Sequence, residues 1–567
     1  MNAASNASPA VVALTEPARL LRSRAMKFLP VVFFLGVVLS SAEDADSRAR
    51  GERIFQRTCI VCHQATGQGA PPVFPPLAAS DWIKANRAQS IRALCEGVGG
   101  PIRVNGADYN NQMPVQPLDD VAVADVLTFV FSSWGNAEMA VTPAEVAKVR
   151  KTSKFPTFEK LVRAHAFAPL PAAPKGMKLR EVVQLTDFAT RLAGPDREGS
   201  VYVLGQKGAV WKLDVANNLL APLVQPADFV QPAGADVTAL GLMLAPDGRL
   251  WMTTNRGFND GGPHKLSEVV IWRSSGAVSA GAVKMEPWFT HRYPYGVGPF
   301  NHGVSHLAFG PDGMLYVSSG SRTDGGEAGT TPGIFTGGEV ETTACIWRLD
   351  PKSAKPEIKV YARGLRNAFG FAWDSSGHLF SVANGPDINA PEEMDFLERG
   401  KHYGFPFQFS NWPLEPRPYP HTPVPPSGME FMMPVKNLGP AGGGKKDGLW
   451  TFDAHSSPAG MTWCGKDFPE PLRNGFLVTR FGNLLGESRT GTSEDVGFDV
   501  LSVHPQRESD GSWTARTESV FSKLGRPIDV LRTGKGCVLI LEYTRTSSFK
   551  DGLGWLPGRI LELSMEQ

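Results

Sequence analysis

Asp312-Gly313-Met314-Leu315-Tyr316-Val317 is one of six short stretches that share a plan: a turn residue tolerant of positive φ, then alternating apolar positions. The others are Asp196-Arg197-Glu198-Gly199-Ser200-Val201-Tyr202-Val203, Asp247-Gly248-Arg249-Leu250-Trp251-Met252, Ser376-Gly377-His378-Leu379-Phe380-Ser381, Asn474-Gly475-Phe476-Leu477-Val478-Thr479 and Lys535-Gly536-Cys537-Val538-Leu539-Ile540. Several are followed by a second alternating run, as in Val210-Trp211-Lys212-Leu213-Asp214, Ile271-Trp272-Arg273, Ile346-Trp347-Arg348-Leu349-Asp350 and Ile560-Leu561-Glu562-Leu563. Copies recurring every ~50 to 100 residues predict one sheet per copy, hence a six-bladed β-propeller from about residue 177 onward. A β-sandwich beside a separate domain is the competing layout. The uneven spacing implies long loops, above all in the Pro-dense stretch 400–460.

Composition agrees with a mainly β chain. Among 567 residues, Gly and Pro number 60 and 46, well above the ~12% of an average protein and short of a disorder signal. The length points to roughly two to four domains. Lys plus Arg is 57 against 56 acidic residues, a formal charge of +1, which argues against holding nucleic acid through bulk charge. A single long apolar run, near the N-terminus, excludes a multi-span transporter.

That run, Phe28 to Leu39, follows Arg19, Arg22, Arg24 and Lys27 and precedes Ser40-Ser41-Ala42 and the acidic Glu43-Asp44. The pattern is that of a secretory signal peptide over residues 1–42, with Met26 an alternative start. It predicts a periplasmic or secreted protein with no membrane span in the mature chain; an uncleaved anchor is the alternative, although a spanning helix needs ~20 apolar residues.

Cys59-Ile60-Val61-Cys62-His63 is the attachment motif of a c-type haem. Two thiols three apart reach the two porphyrin vinyls, and the adjacent His63 meets the iron. A zinc or redox Cys-x-x-Cys is the competing reading, weakened by the immediate His and the lack of a second such pair. Met113, in Tyr109-Asn110-Asn111-Gln112-Met113-Pro114, is the candidate sixth ligand, since a thioether opposite imidazole raises the iron potential and suits electron transfer. Arg50 to Thr58 and Leu118 to Trp134 read as helices on either side. Together these pieces resemble a class I cytochrome c over residues 43–136, implying an all-α domain with covalent haem c. Residues 137–176, rich in Ala and Pro and ending in Phe167-Ala168-Pro169-Leu170-Pro171, read as a semi-rigid linker. A helical extension is the alternative for Pro143 to Lys154.

The propeller, residues 177–567, carries a second set of motifs: Asn301-His302-Gly303-Val304-Ser305-His306, Arg363-Gly364-Leu365-Arg366-Asn367-Ala368-Phe369-Gly370, Asn384-Gly385-Pro386-Asp387, Glu392-Glu393-Met394-Asp395 and Tyr403-Gly404-Phe405-Pro406. Their order and spacing resemble the glucose/sorbosone dehydrogenases, six-bladed propellers that oxidise sugars with pyrroloquinoline quinone (PQQ) and Ca2+. The resemblance implies His302 as catalytic base and Arg366, Asn367, Arg480 and Arg526 as cofactor-binding residues. It implies the Gly385 and Pro386 carbonyls as calcium ligands. These residue types suit their roles: Arg pairs with carboxylates bidentately, calcium takes carbonyl oxygen, and imidazole accepts a proton near neutrality. His306, four residues on, is the rival base, and His455 is a candidate pocket residue. The chain departs from the family where an Asp normally orients the base: here stands Gly320-Ser321, and Asp324, from the following loop, is the candidate substitute.

A tethered cytochrome raises the effective concentration of an acceptor at a reduced cofactor. The combined expectation is a periplasmic quinohaemoprotein dehydrogenase: a PQQ-dependent sugar or aldose oxidoreductase that passes electrons from a small sugar-like substrate to its own haem and on to an external acceptor. The alternative is a non-catalytic propeller that binds a partner or carbohydrate beside an electron-transfer cytochrome. A calcium-dependent lactonase would need acidic side chains converging on the ion, and the sequence offers no such set.

Overall fold

The computed structural model describes residues 32–64, 66–69, 71, 74–111, 113–136, 140–230, 237–278, 283–297, 300–327, 338–410, 412, 419–444, 451–483, 496–545 and 555–566. The first part of the expected leader, 1–31, lies outside them.

Each of the six repeats marks the turn between the first and second strands of one sheet. Blade one comprises Ala189–Ala193, Val201–Gly205, Val210–Asp214 and Leu219–Val224, and blade two Thr238–Leu244, Leu250–Phe258, Leu266–Ser274 and Met285–Pro294. Blade three is Val304–Phe309, Leu315–Ser319, Cys345–Leu349 and Lys359–Arg363; blade four is the three strands Ala368–Trp373, Leu379–Ala383 and Glu393–Phe396. Blade five is Pro458–Cys464, Gly475–Arg480, Asp499–Arg507 and Trp513–Phe521, extended at its outer edge by the parallel strand Lys436–Pro440.

Blade six takes Pro527–Gly534, Cys537–Glu542 and Arg559–Met565 from the C-terminus and a fourth strand, Met177–Gln184, from the start of the propeller. The register runs antiparallel from Arg559↔Gln184 to Met565↔Met177. The ring is therefore closed by hydrogen bonds between its two chain ends, which leaves no open sheet at the join.

The repeat turns explain why the motif recurs. Gly199, Gly248, Gly313, Gly377 and Gly536 all have positive φ, and in the fifth copy Asn474 takes that place at φ 53°. Turn carboxylates bind the backbone that follows: Asp196 Oδ1 accepts from Ser200 N at 2.8 Å, and Asp312 Oδ1 from Met314 N at 3.1 Å.

The first strands of the six blades line the axis, each touching its neighbours in an unbroken ring. Glycine permits the closest approaches: a Cβ on Gly241 would strike the Ser305 carbonyl, and one on Gly370 the Ala459 carbonyl. Apolar side chains such as Val269, Ile271, Val317 and Trp347 fill the space between blades two and three, and equivalent clusters separate the others.

N-terminal to the propeller, helices Val32–Thr58, Ile60–His63, Asp81–Ala85, Arg87–Glu96 and Asp120–Phe131 surround the Cys-x-x-Cys-His segment. The region expected to be all-helical also holds a hairpin, Ile102–Val104 with Ala107–Tyr109. The first and last of these helices cross in contact, because Gly51 has no Cβ to strike the Asp125 carbonyl. Arg50 clamps Asp125 at 2.6 Å, and Phe55, Phe129 and Trp134 pack in tilted and edge-on contacts with ring centres 5.0–5.4 Å apart. The expected linker begins with two helices, Pro143–Arg150 and Phe158–Ala164. The first is held by Arg150, whose Nε donates to Asp120 Oδ1 at 2.5 Å. Further on, Arg559 Nη2 donates to the Ala168 carbonyl at 2.7 Å, anchoring the Pro-rich end on blade six. No described helix is long and apolar enough to cross a membrane.

Candidate functional site

In the helical domain, Cys59 and Cys62 are free thiols on one turn, with His63 N donating to Cys59 O at 2.9 Å. Burial pushes the Cys59 thiol up to about 12, reinforced by Cys62. His63 Nδ1 lies 3.0 Å from the Pro75 carbonyl. A carbonyl only accepts, so Nδ1 carries the proton and the Nε2 lone pair faces away from it. Met113 is pinned by its backbone to Val98, 2.9 Å in both directions, and packs on the same apolar cluster as Cys59 and Trp134. A thiol pair, an outward imidazole lone pair and a thioether around one apolar core fit a covalently held haem with two axial ligands.

In the propeller, His302 and Asn367 meet over Gly320 where blades three and four join, and Arg366 is tied to the same place by its carbonyl, which accepts from Ser321 N, and by its Nη1, which donates to the Asn384 carbonyl. Gly320 leaves the room in which His302 and Asn367 meet. A Cβ there would lie 2.6 Å from the His302 Cβ and 2.8 Å from Asn367 Oδ1. Sequence reasoning passed over this glycine, since its role is to leave room between residues distant in the chain.

The Arg366 guanidinium is buried and fully directed. Nη2 donates to Asp324 Oδ1 at 2.7 Å, Nε to the Asp324 carbonyl at 2.9 Å, and Nη1 to the Asn384 carbonyl at 3.2 Å. Asp324 is a hub: it also accepts from Tyr419 OH at 2.6 Å and from Asp387 N at 3.0 Å. Its carboxylate therefore binds Arg366 and the 387 loop. Nδ1 of His302 faces the Ser321 hydroxyl at 3.1 Å and the Ser321 carbonyl at 3.2 Å, and the Phe300 carbonyl also acts on the ring. Burial pulls the His302 imidazole down to about 3, helped by the Arg366 charge.

The Gly385–Pro386 loop is held from behind. Glu392 Oε2 accepts from Gly385 N at 2.5 Å, while Asn384 N donates to Asn367 O at 3.0 Å. Burial pushes Glu392 up to about 7, against the lowering effect of the backbone N–H groups it accepts and of Arg366. With these amides turned inward, no described donor reaches the Gly385 carbonyl; Pro386 O accepts from Ile388 N at 2.7 Å. Two carbonyls suit a hard cation in part. No group of three or more His, Cys, Asp or Glu that could hold a metal ion occurs among the described residues.

The other candidates have partners of their own. Arg480 is gripped by Asp499 at 2.6 and 2.8 Å and by Asp453 at 2.9 Å. Arg526 donates to the Gly482 and Asn483 carbonyls at 3.1 and 2.8 Å, with Phe481, Phe498 and Trp555 around it at 4.8–5.0 Å. His306 faces the core, edge-on to Phe371 at 4.6 Å. His455 reaches Asn389 Oδ1 at 3.0 Å, and the Asp324 charge works on it against burial.

Comparison with known proteins matches two segments of the chain. The Cytochrome c family model matches residues 48–134. Cytochrome c-552 of Thermus thermophilus is 37% identical over 114 residues, 76% of that protein's length. Through this segment the chain belongs to the cytochrome c family. The Glucose / Sorbosone dehydrogenase model matches residues 284–412, the segment holding His302, Ser321, Arg366, Asn367 and Gly385. The chain thus joins a cytochrome c to a propeller segment that matches the glucose/sorbosone dehydrogenase model. The cytochrome c subunit of a quinone alcohol dehydrogenase from Gluconacetobacter polyoxogenes is 32% identical over 105 residues, and the fusion spans 22% of its length. Among solved structures, a PQQ-bound aldose sugar dehydrogenase from Streptomyces coelicolor aligns at 19% identity and a TM-score of 0.46, covering 70% of this chain and 100% of that one. A soluble aldose sugar dehydrogenase from Escherichia coli in its apo form aligns at 16% identity and 0.47, covering 69% and 100%.

Proposed function

We propose that this protein is a periplasmic quinohaemoprotein dehydrogenase that oxidises a sugar or a related alcohol or aldehyde and delivers the electrons to its own c-type haem and then to an external acceptor. The observation that carries the reading is the packing of His302 and Asn367 over Gly320, with Arg366 bonded to the Asn384 carbonyl beside Gly385, in a propeller that shares its chain with a Cys-x-x-Cys-His segment.

Arg366 and Asn367 would hold PQQ, and Gly385 and Pro386 a calcium ion. When bound, the quinone supplies the hydride acceptor and the calcium polarises it. Asp324 and Tyr419 keep Arg366 at a fixed angle, so its contacts with a carboxylate would form without reorganising the side chain. Glu392 holds Gly385 in the same way. His302 takes the proton from the substrate hydroxyl at Nε2, and its low affinity for a proton keeps it unprotonated over the whole neutral range. Arg480 and Arg526, held in place by Asp499, Asp453 and backbone carbonyls, would offer further cationic contacts to the cofactor from blades five and six. In the cytochrome, Cys59 and Cys62 would bind the porphyrin, with His63 and Met113 on the iron. The expected leader at 1–42 would export the chain.

The test uses the purified full-length protein carrying haem. Adding PQQ, Ca2+ and an aldose should reduce the haem, seen in its absorbance, and omitting either PQQ or Ca2+ should prevent it. His302→Ala should abolish reduction while PQQ still binds, and Arg366→Gln should weaken binding. No haem reduction across a broad panel of aldoses and alcohols would favour a binding propeller, a reading encouraged by the neutralised Arg366.

A further inference from the structure

At the proposed base, the side chain facing the imidazole is the uncharged Ser321. The hydrogen bonds around it are ordered by chemistry. Ser321 Oγ lies 2.8 Å from the Thr323 carbonyl. That carbonyl can only accept, so the serine proton points to it. The hydroxyl oxygen then has only lone pairs left for His302 Nδ1 at 3.1 Å. The Ser321 carbonyl, 3.2 Å from the same nitrogen, is likewise an acceptor, and it also receives His302 N at 2.9 Å. Two acceptors face Nδ1 together, so Nδ1 must carry the proton. The backbone is equally fixed: Ser321 N donates to the Arg366 carbonyl at 2.6 Å, and Gly320 N to Gly303 O at 2.7 Å.

We infer that Ser321 is the positioning residue of His302, locking the imidazole as the Nδ1–H tautomer with the Nε2 lone pair turned away from Ser321, and doing so without a negative charge. The inference rests on the dehydrogenase reading for its purpose but not for its geometry. A carboxylate in this place would orient the ring and also stabilise its protonated form; a serine only orients it. The charged side chain whose field reaches the imidazole is Arg366, a cation itself balanced by Asp324. His302 is consequently oriented by Ser321 without a neighbouring negative charge to favour its protonated form.

The experiment is nitrogen NMR of the full-length protein labelled in its histidines, without added PQQ or substrate, with the His302 signal assigned by its loss in His302→Gln. Wild type should show protonated Nδ1 and unprotonated Nε2 from pH 5 to 8. Ser321→Ala removes one of the two acceptors and should raise the Nε2–H population several-fold. Ser321→Asp should keep the tautomer and raise the titration midpoint by about one unit or more. Should Ser321→Asp fail to fold, Ser321→Thr, which keeps the hydroxyl, must restore the wild-type pattern lost in the alanine variant. An Nε2–H tautomer in wild type, or an alanine variant identical to it, overturns the inference. Because no turnover is involved, failure of the dehydrogenase reading would appear separately, as absent haem reduction with these spectra unchanged.

Discussion

Arg191 Nη1 lies 3.2 Å from Asp529 Oδ1, joining the innermost strands of blades one and six across a sequence separation of 338 residues. The same guanidinium donates to the Leu240 carbonyl on blade two at 3.0 Å and to the Phe369 carbonyl on blade four at 3.1 Å. Asp529 Oδ2 in turn accepts from Leu192 N at 2.7 Å. One buried side chain thus bolts four blades together across the axis.

Arg191→Met should destabilise the propeller by about 3–5 kcal/mol, the usual cost of leaving one member of a buried ion pair unpartnered. Urea unfolding measures it. The double variant Arg191→Met/Asp529→Asn should recover part of the loss, because the amide can still accept from Leu192 N without a charge. Additive losses would show that the two residues act independently.

Gly320→Ala should disturb the site more than the fold. The added methyl meets the His302 Cβ and Asn367 Oδ1 at contact distances far below van der Waals separation. A loss of about 1–3 kcal/mol is expected from overpacking, read as a lower Tm. Sugar-driven haem reduction should fall by a larger factor than Tm implies, since both residues that must move belong to the proposed cofactor site.

Met113→Ala should leave the haem attached through Cys59 and Cys62 but open the position opposite His63. The reduction potential should fall, and the reduced protein should bind carbon monoxide, which wild type should resist. An unchanged potential would mean that another side chain is the sixth ligand.

Glu393 and Asp395 provide a pH test of stability. Both point from the same strand into the protein, and both Asp395 carboxyl oxygens are buried without a hydrogen-bond partner. Burial pushes both groups up, and for Glu393 the Asp395 charge adds to it. A carboxyl whose folded pKa is raised stays protonated in the fold while the unfolded chain loses the proton above pH ~4. Stability should therefore be greatest below that range and fall as pH rises toward the folded value, at up to ~1.4 kcal/mol per pH unit for each group. Asp395→Asn should remove its share: a gain on the order of 2 kcal/mol at pH 7 and little change at pH 4, measured by denaturation at the two values.

Much of this architecture is local in origin and could be read from the chain. Each blade announces itself by a turn whose left-handed residue must be Gly or Asn and by an alternating strand after it, as at Gly313 and Leu315. The haem segment is legible because its chemistry needs two thiols and an imidazole within five consecutive positions, Cys59 to His63. His302, Arg366, Asn367 and Gly385 were identified through resemblance, and the fold gathers them.

What the residue order left open depends on distant contacts. Asp324 was the expected partner of His302, but folding sets it against Arg366 and Tyr419 and gives His302 to Ser321, a choice made by where two loops meet. Like Arg366 with Asp324, Arg480 and Arg526 meet acceptors that the residue order does not announce: Asp499 and Asp453 for the first, the 482–483 carbonyls for the second. Arg191 looks like any strand arginine until four blades surround it, and Gly320 like any glycine until His302 and Asn367 close over it. The chain alone determined the repeating sheet unit and the haem attachment, because both arise from neighbours along the backbone. Closure of the ring by Met177–Gln184, the tautomer of His302 and the charge state around Arg366 were decided only in three dimensions, because each depends on which buried groups are left to satisfy one another's hydrogen bonds once water is gone.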